Sequence, residues 1–104
     1  MSNEQLKGHL DLLLLGVLKK GRDHGYAVIR RLADDSDGTF DLPEGTVYPA
    51  LHRLEKLGLL ASSWDKSEGR RRRVYEITGA GANVLRERQT EFARFAAGIQ
   101  AVIA

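Results

Sequence analysis

Four consecutive arginines, Arg70 to Arg73, follow Gly69 directly in a chain of 104 residues whose net charge is only +2. Cations this close repel one another, and folding alone gives no reason to collect them. A polyanion does, because each phosphate that a cation neutralises releases condensed counterions. Shortly upstream, Thr46, Tyr48, Pro49, His52, Arg53 and Lys56 interleave with Val47, Ala50, Leu51, Leu54 and Leu57. Hydroxyl, imidazole and guanidinium groups of this kind can hydrogen-bond to base edges and phosphate oxygens. The candidate chemistry is therefore recognition, carried by Thr46, Tyr48, Pro49, His52 and Arg53 with Lys66, Gly69, Arg70, Arg71, Arg72 and Arg73. Bond-making is not indicated: His9, His24 and His52 are scattered, and no HExxH, GxSxG or phosphate-loop pattern occurs. Plainer readings stand beside this one. The polar residues from 46 to 56 could be an ordinary solvated face, and the arginines, with Lys66, a solvated turn balanced by Glu68 and Glu76. Runs of like charge more often serve as interaction surfaces.

The elements that must position these residues can be read from periodicity. Val47, Ala50, Leu51, Leu54 and Leu57 recur at three- and four-residue steps and predict an amphipathic helix. Pro49 is tolerated only in a first turn, whose amides have no helical partner, so the helix starts near Gly45 and stops at Gly58. From Leu59 to Asp65, Leu60, Ser62 and Trp64 alternate against Leu59, Ala61 and Ser63 as in a strand, and a second strand runs from Arg71 to Ile77. Alternation sends Arg70 and Arg72 to one side, and Arg71 and Arg73 to the other, where Tyr75 and Ile77 continue inward. A helix from about Glu4 to Lys20 turns Leu6, Leu10, Leu13, Leu14, Val17 and Leu18 to a core, and a second from about Gly25 to Ala33 turns Tyr26, Ile29 and Ala33 inward. A polar link, Asp34 to Pro43, joins it to the third helix. After Thr78, whose hydroxyl can cap exposed amides, a last helix runs toward Ile103.

The order is helix, helix, helix, strand, strand, helix: a mainly α fold with a small β-hairpin. It is the arrangement of a winged helix-turn-helix, which offers a helix to the major groove of double-stranded DNA and a basic hairpin, the wing, to the flanking backbone or minor groove. Residues 1–78 form this domain, and residues 79–104 form a C-terminal dimerisation helix. In that helix Leu85, Phe92 and Ile99 repeat every seven residues, with Arg88, Phe95 and Val102 between them, the spacing of a helix-packing seam. A helix of ~25 residues is about 37 Å long, more than one small domain needs, so its distal half is expected to seek a second copy. The alternative is a helix folded back on its own domain. A winged-helix module that binds an acidic protein instead of DNA is the alternative function.

Other features bound the reading. Hydrophobic residues make up 42% of the chain, as in ordinary globular domains. Cysteine is absent, so neither disulfides nor thiolate metal sites can form. Leu12 to Leu18 is too short to span a bilayer and is interrupted by Gly16, and no signal peptide is evident, which suits a cytoplasmic protein with no membrane partner. Neither cofactor nor metal is expected. Asp34, Asp35, Asp37, Asp41 and Glu44 precede the third helix, where carboxylates could cap its N-terminus or hold it off phosphates; capping is favoured. Asp23-His24 is read as a helix-capping pair in preference to a metal or acid/base pair. Trp64, Phe92 and Phe95 either fill the core or line a cavity for a small aromatic or hydrophobic effector.

The stretches LLLLGVL (12–18), HGYAVIRRL (24–32), GTVYPALHRLEKLGLL (45–60) and GRRRRVYEIT (69–78) stand in the order and at the spacing of the PadR family of transcriptional regulators, which the chain clearly resembles. The resemblance implies a dimeric winged-helix repressor that binds an inverted-repeat operator. Carried over by position, it makes Thr46, Tyr48 and Pro49 the start of the recognition helix and places Gly69 and Arg72 in the wing. The chain departs from larger members in having one C-terminal helix in place of a multi-helix domain.

Overall fold

Leucine and valine on the inner sides of three helices set the core. In a computed structural model that describes residues 3–104, the chain forms α1 (Asn3–Lys19), β1 (Asp23–His24), α2 (Gly25–Asp35), α3 (Glu44–Lys56), β2 (Leu60–Asp65), a 3-10 turn (Ser67–Gly69), β3 (Arg72–Ile77) and α4 (Gly79–Ile103). α1 lies at the centre and touches α2, α3, β3 and α4. That position explains its unbroken leucines: Leu14 and Leu15 are both fully buried, although Leu15 falls outside the inner face expected from the sequence. Leu6 and Leu13 are only half-buried. Val28, Ile29 and Leu32 of α2, Leu51 and Leu54 of α3, and Tyr75 of β3 complete the core.

The phase of α2 differs from expectation. Tyr26 is 56% exposed, and Gly25, Val28, Ile29 and Leu32 face inward. The cause lies at Gly25, where a Cβ would overlap the Tyr48 ring of α3. The glycine seats α2 against α3, which fixes the helix rotation and turns the next residue outward.

The wing is part of a three-stranded antiparallel sheet in the order β1-β3-β2. β1 pairs Asp23 with Tyr75 and His24 with Val74, and at two residues it is too short to show a period in the sequence. Between β2 and β3, Leu60 faces Ile77, Ser62 faces Tyr75, and Trp64 faces Arg73. The expected sides of the hairpin follow from this register, because paired residues share a face.

Three helix ends show how local sequence stops and starts these elements. After α3, Gly58 takes φ +78°, its amide bonds to the Glu55 carbonyl, and the Leu59 amide bonds to the Leu54 carbonyl. This is the left-handed glycine termination that satisfies the last carbonyls. At α4, the Thr78 hydroxyl accepts from the Gly81 amide at 3.0 Å and donates to the Gly58 carbonyl at 2.7 Å, so the expected cap also ties α4 to the end of α3. At α3 the expected carboxylate cap is not made. Pro43 is the N-cap and provides no side-chain hydrogen bond, Glu44 lies in the first turn, and Asp34 and Asp35 end α2. The proline leaves no room for an Asx or Ser cap, and Glu44 serves the helix only through its charge.

Asp23 and His24 do not cap α2 either. His24 is the N-cap without a side-chain bond, the Asp23 carboxylate accepts from the His24 amide and from Arg31, and His24 Nε2 lies 3.3 Å from Asp65 in β2. Pairing in β1 draws both side chains toward the sheet and Arg31.

Candidate nucleic-acid interface

The exposed side of α3 and the near face of the wing meet along one groove of about 1020 Å³, lined by Pro49, His52, Glu55, Lys56, Trp64 and Arg73 among others. Pro49 is not in the first turn as expected: α3 begins at Glu44, with Pro43 as its N-cap, so Pro49 lies inside the helix and interrupts its backbone bonding there. It is exposed, as are His52 and Lys56. The His52 ring lies 6.4 Å from that of Tyr75, so it rests on the sheet with an edge to solvent. Thr46 is half-buried.

Two residues of the expected reading face have structural duties. Tyr48 is half-buried against Gly25, and burial first, then the Glu44 charge, raises its phenol above the usual range. It remains a neutral hydroxyl donor at any physiological pH. Arg53 forks onto Asp11 of α1 through two bonds of 2.7 and 3.0 Å, and that hydrogen-bonded carboxylate raises its already high pKa. A bidentate pair of this kind fixes the guanidinium. Arg53 thus holds α3 to α1, and although it borders the groove its fork is occupied by Asp11.

The wing arginines divide as strand alternation requires. Arg71 and Arg73 lie over the Trp64 ring, with guanidinium carbons 4.3 and 4.9 Å from its centroid. Arg72 is half-buried on the opposite face, across from Asp65, and Arg70 and Lys66 are exposed at the turn. The Glu68 side chain lies outside those described. Gly69 takes φ +71°, which lets the chain leave the short turn without the strain a side chain would add. Asp65 closes that turn by accepting from the Ser67 amide at 2.9 Å and the Ser67 hydroxyl at 3.0 Å. Those bonds, and more weakly His24, hold its carboxyl below the usual range.

Sequence reasoning missed the polar link between helix and wing. Arg73 Nε donates to Ser62 Oγ at 2.8 Å, Ser62 Oγ donates to Glu55 Oε2 at 2.5 Å, and Arg73 Nη2 lies 3.9 Å from the same oxygen. Trp64 is 50% exposed and does not fill the core; it lines the groove and lies beneath Arg71 and Arg73. The signal was present in the alternation that places Ser62 and Trp64 on one side of β2, but the register across to β3 was needed to use it.

The proposed seam of α4 is not uniform. Leu85 is 1% exposed within the single chain, buried in the core of its own domain, and so is unavailable to a partner. Phe92 packs edge-on to His9 of α1 at 5.5 Å yet stays exposed, and Arg88 is half-buried. Phe95, Ile99, Val102 and Ile103 are exposed. Between α1 and α4 runs an open apolar groove of about 820 Å³ that includes Leu12, Leu13, Phe40, Leu85 and Phe92. Among the described residues no group of three or more His, Asp or Glu is placed to hold a metal ion, and no helix is long and apolar enough to cross a membrane.

Comparison with known proteins agrees with this geometry. Residues 14–87 match the family described as the transcriptional regulator PadR-like family. A PadR family transcriptional regulator from Eggerthella lenta is 34% identical, with a TM-score of 0.83 over 96% of this chain and 86% of that one. A transcriptional regulator from Clostridium thermocellum is 28% identical, with a TM-score of 0.86 over 94% and 96%. A transcriptional regulator of Mycobacterium tuberculosis is 56% identical over 43 residues, 41% of this chain and 40% of that protein.

Proposed function

We propose, from the premise that this chain belongs to the PadR-like family of transcriptional regulators, that it regulates transcription by binding double-stranded DNA through α3 and the wing. The single observation that carries the reading is the placement of Arg71 and Arg73 on Trp64, beside the exposed face of α3. A guanidinium held over an aromatic ring can still offer donors to phosphate oxygens; Arg73 spends Nε on Ser62 and turns Nη2 toward Glu55, so it has fewer to offer. α3 then enters the major groove with Thr46, Tyr48, Pro49 and His52 toward base edges, while the arginines track the neighbouring backbone or minor groove.

The finer reading is a cytoplasmic repressor that binds an inverted repeat as a homodimer. α4 supports it: 25 residues at 1.5 Å each give about 37 Å, and the molecule measures 54 Å along its longest axis. The distal turns leave Phe95, Ile99, Val102 and Ile103 in solvent, an apolar stripe that a second copy would cover. A twofold axis between two such helices places the two recognition helices on half-sites about one helical turn apart or a multiple of it. A small aromatic or hydrophobic effector would find its place in the α1–α4 groove.

The test is a mobility shift with DNA from around the chain's own gene at two salt concentrations. Sequence-dependent retardation that weakens steeply with salt is the expected result. Retardation by no fragment, together with capture of an acidic protein, would favour the protein-binding alternative.

A further inference from the structure

An acid has no evident place in a surface that meets phosphates, yet Glu55 lines the groove between α3 and the wing. Its carboxylate accepts from Ser62 at 2.5 Å, and Ser62 in turn accepts from Arg73 Nε at 2.8 Å. Glu55 belongs to the recognition helix, Ser62 to β2 and Arg73 to β3. The three side chains therefore join the recognition helix to both strands of the wing. Trp64 adds the other half of the hold, since its ring carries both Arg71 and Arg73. Arginine side chains on a two-stranded turn otherwise lose rotamer freedom when they bind and can meet any duplex in many poses.

We infer that Glu55, Ser62 and Trp64 are positioning residues for DNA recognition: they clamp the wing arginines at a fixed distance from the reading face of α3, so that phosphates and bases are met in one register. The inference rests on the DNA-binding reading above. It explains the acid, whose charge weakens attraction to every duplex but restricts where Arg73 can go. Phosphate contacts set the orientation on DNA without carrying sequence information, so the clamp acts on discrimination more than on affinity.

The sign of the effect separates positioning from a merely electrostatic or structural role. The probes are the duplex that the wild-type chain selects from a randomised library and a duplex of scrambled sequence. Glu55→Gln keeps size and removes charge, so binding to the scrambled duplex should hold or tighten while the selected-to-scrambled ratio falls about tenfold, the scale on which one base pair is discriminated. Ser62→Ala should act in the same direction. Arg73→Lys retains the charge but not the fork or the stack, and should leave the salt slope unchanged while lowering the ratio. Trp64→Ala should lower the ratio, and Trp64→Phe, which keeps an aromatic platform, should restore most of it. A ratio equal to wild type in Glu55→Gln, Ser62→Ala and Arg73→Lys, each with an unchanged melting temperature, would overturn the clamp and leave DNA binding standing. If the wild type enriches no sequence and shows no salt-dependent binding, the DNA-binding reading falls and the clamp with it.

Discussion

Two exposed regions of this molecule differ in what holds their side chains. Along α3 and the wing, charged and aromatic groups are held by named partners: Arg53 by Asp11, Arg73 by Ser62, Arg71 and Arg73 by Trp64. Along the distal half of α4, Phe95, Ile99, Val102 and Ile103 project from a single helix past the domain core. The first region is cationic and pre-arranged, as suits a polyanion of fixed shape. The second is apolar, as suits another protein surface. The contrast assigns the two proposed partners, DNA and a second copy, to opposite chemistries and to separate parts of the chain.

The largest expected effect comes from charging the apolar region. Phe95→Glu with Ile99→Glu should convert a dimer to a monomer in sedimentation at micromolar concentration, and should weaken binding to a two-half-site duplex by about 100-fold through loss of effective concentration. Both residues are exposed, so the fold should persist. A double variant that still sediments as a dimer would move the interface elsewhere.

Two glycines sharpen the contrast next. At Gly25 a new Cβ would meet the Tyr48 ring, whereas Gly98, in the exposed part of α4, has open space around it. Gly25→Ala should cost about 1–3 kcal/mol by forcing Tyr48 and α3 to shift, and Gly98→Ala should instead stabilise by about 0.5–1 kcal/mol as an ordinary helix-interior replacement. Thermal melts of the two variants side by side check this, and equal melts would show that the α2–α3 seam yields freely.

The smallest effect is a pH response of the wing turn. The Asp65 carboxyl is depressed from an ordinary value of 3.8, chiefly by the Ser67 amide. A depressed folded-state value means that the contribution is present above the ordinary value and is lost as pH falls through the lower one. Protection of the Ser67 amide, measured relative to its intrinsic exchange rate at each pH, should therefore fall in acid below about pH 4, and Asp65→Asn should remove that dependence.

Much of this architecture was legible in single residues. Gly58 ends α3 and Thr78 caps α4, because each acts through its own backbone or its immediate neighbours, whereas Pro49, read as marking the start of α3, lies inside it. The division of the arginines followed from strand alternation alone. What was hidden depends on partners far along the chain. Arg53 reads as a free cation until Asp11, 42 residues away, is found beside it. Leu85 fits a dimer seam by spacing, yet it is buried in the core of its own domain. Tyr26 fits an inner stripe, but Gly25 and Tyr48 set the helix rotation. Glu55, Ser62 and Trp64 acquire meaning only when the β2–β3 register places them together.

The most direct test of the central claim is the salt dependence of duplex binding for the wild type and for a variant with Arg70, Arg71, Arg72 and Arg73 all replaced by alanine, followed by fluorescence anisotropy. For the wild type, log affinity should fall linearly with log salt, and the variant's slope should be smaller by about 0.9 for each phosphate it no longer neutralises. The melting temperature should change little, because these side chains lie outside the apolar core. An identical slope in a folded variant would remove the wing from the DNA interface and contradict the account.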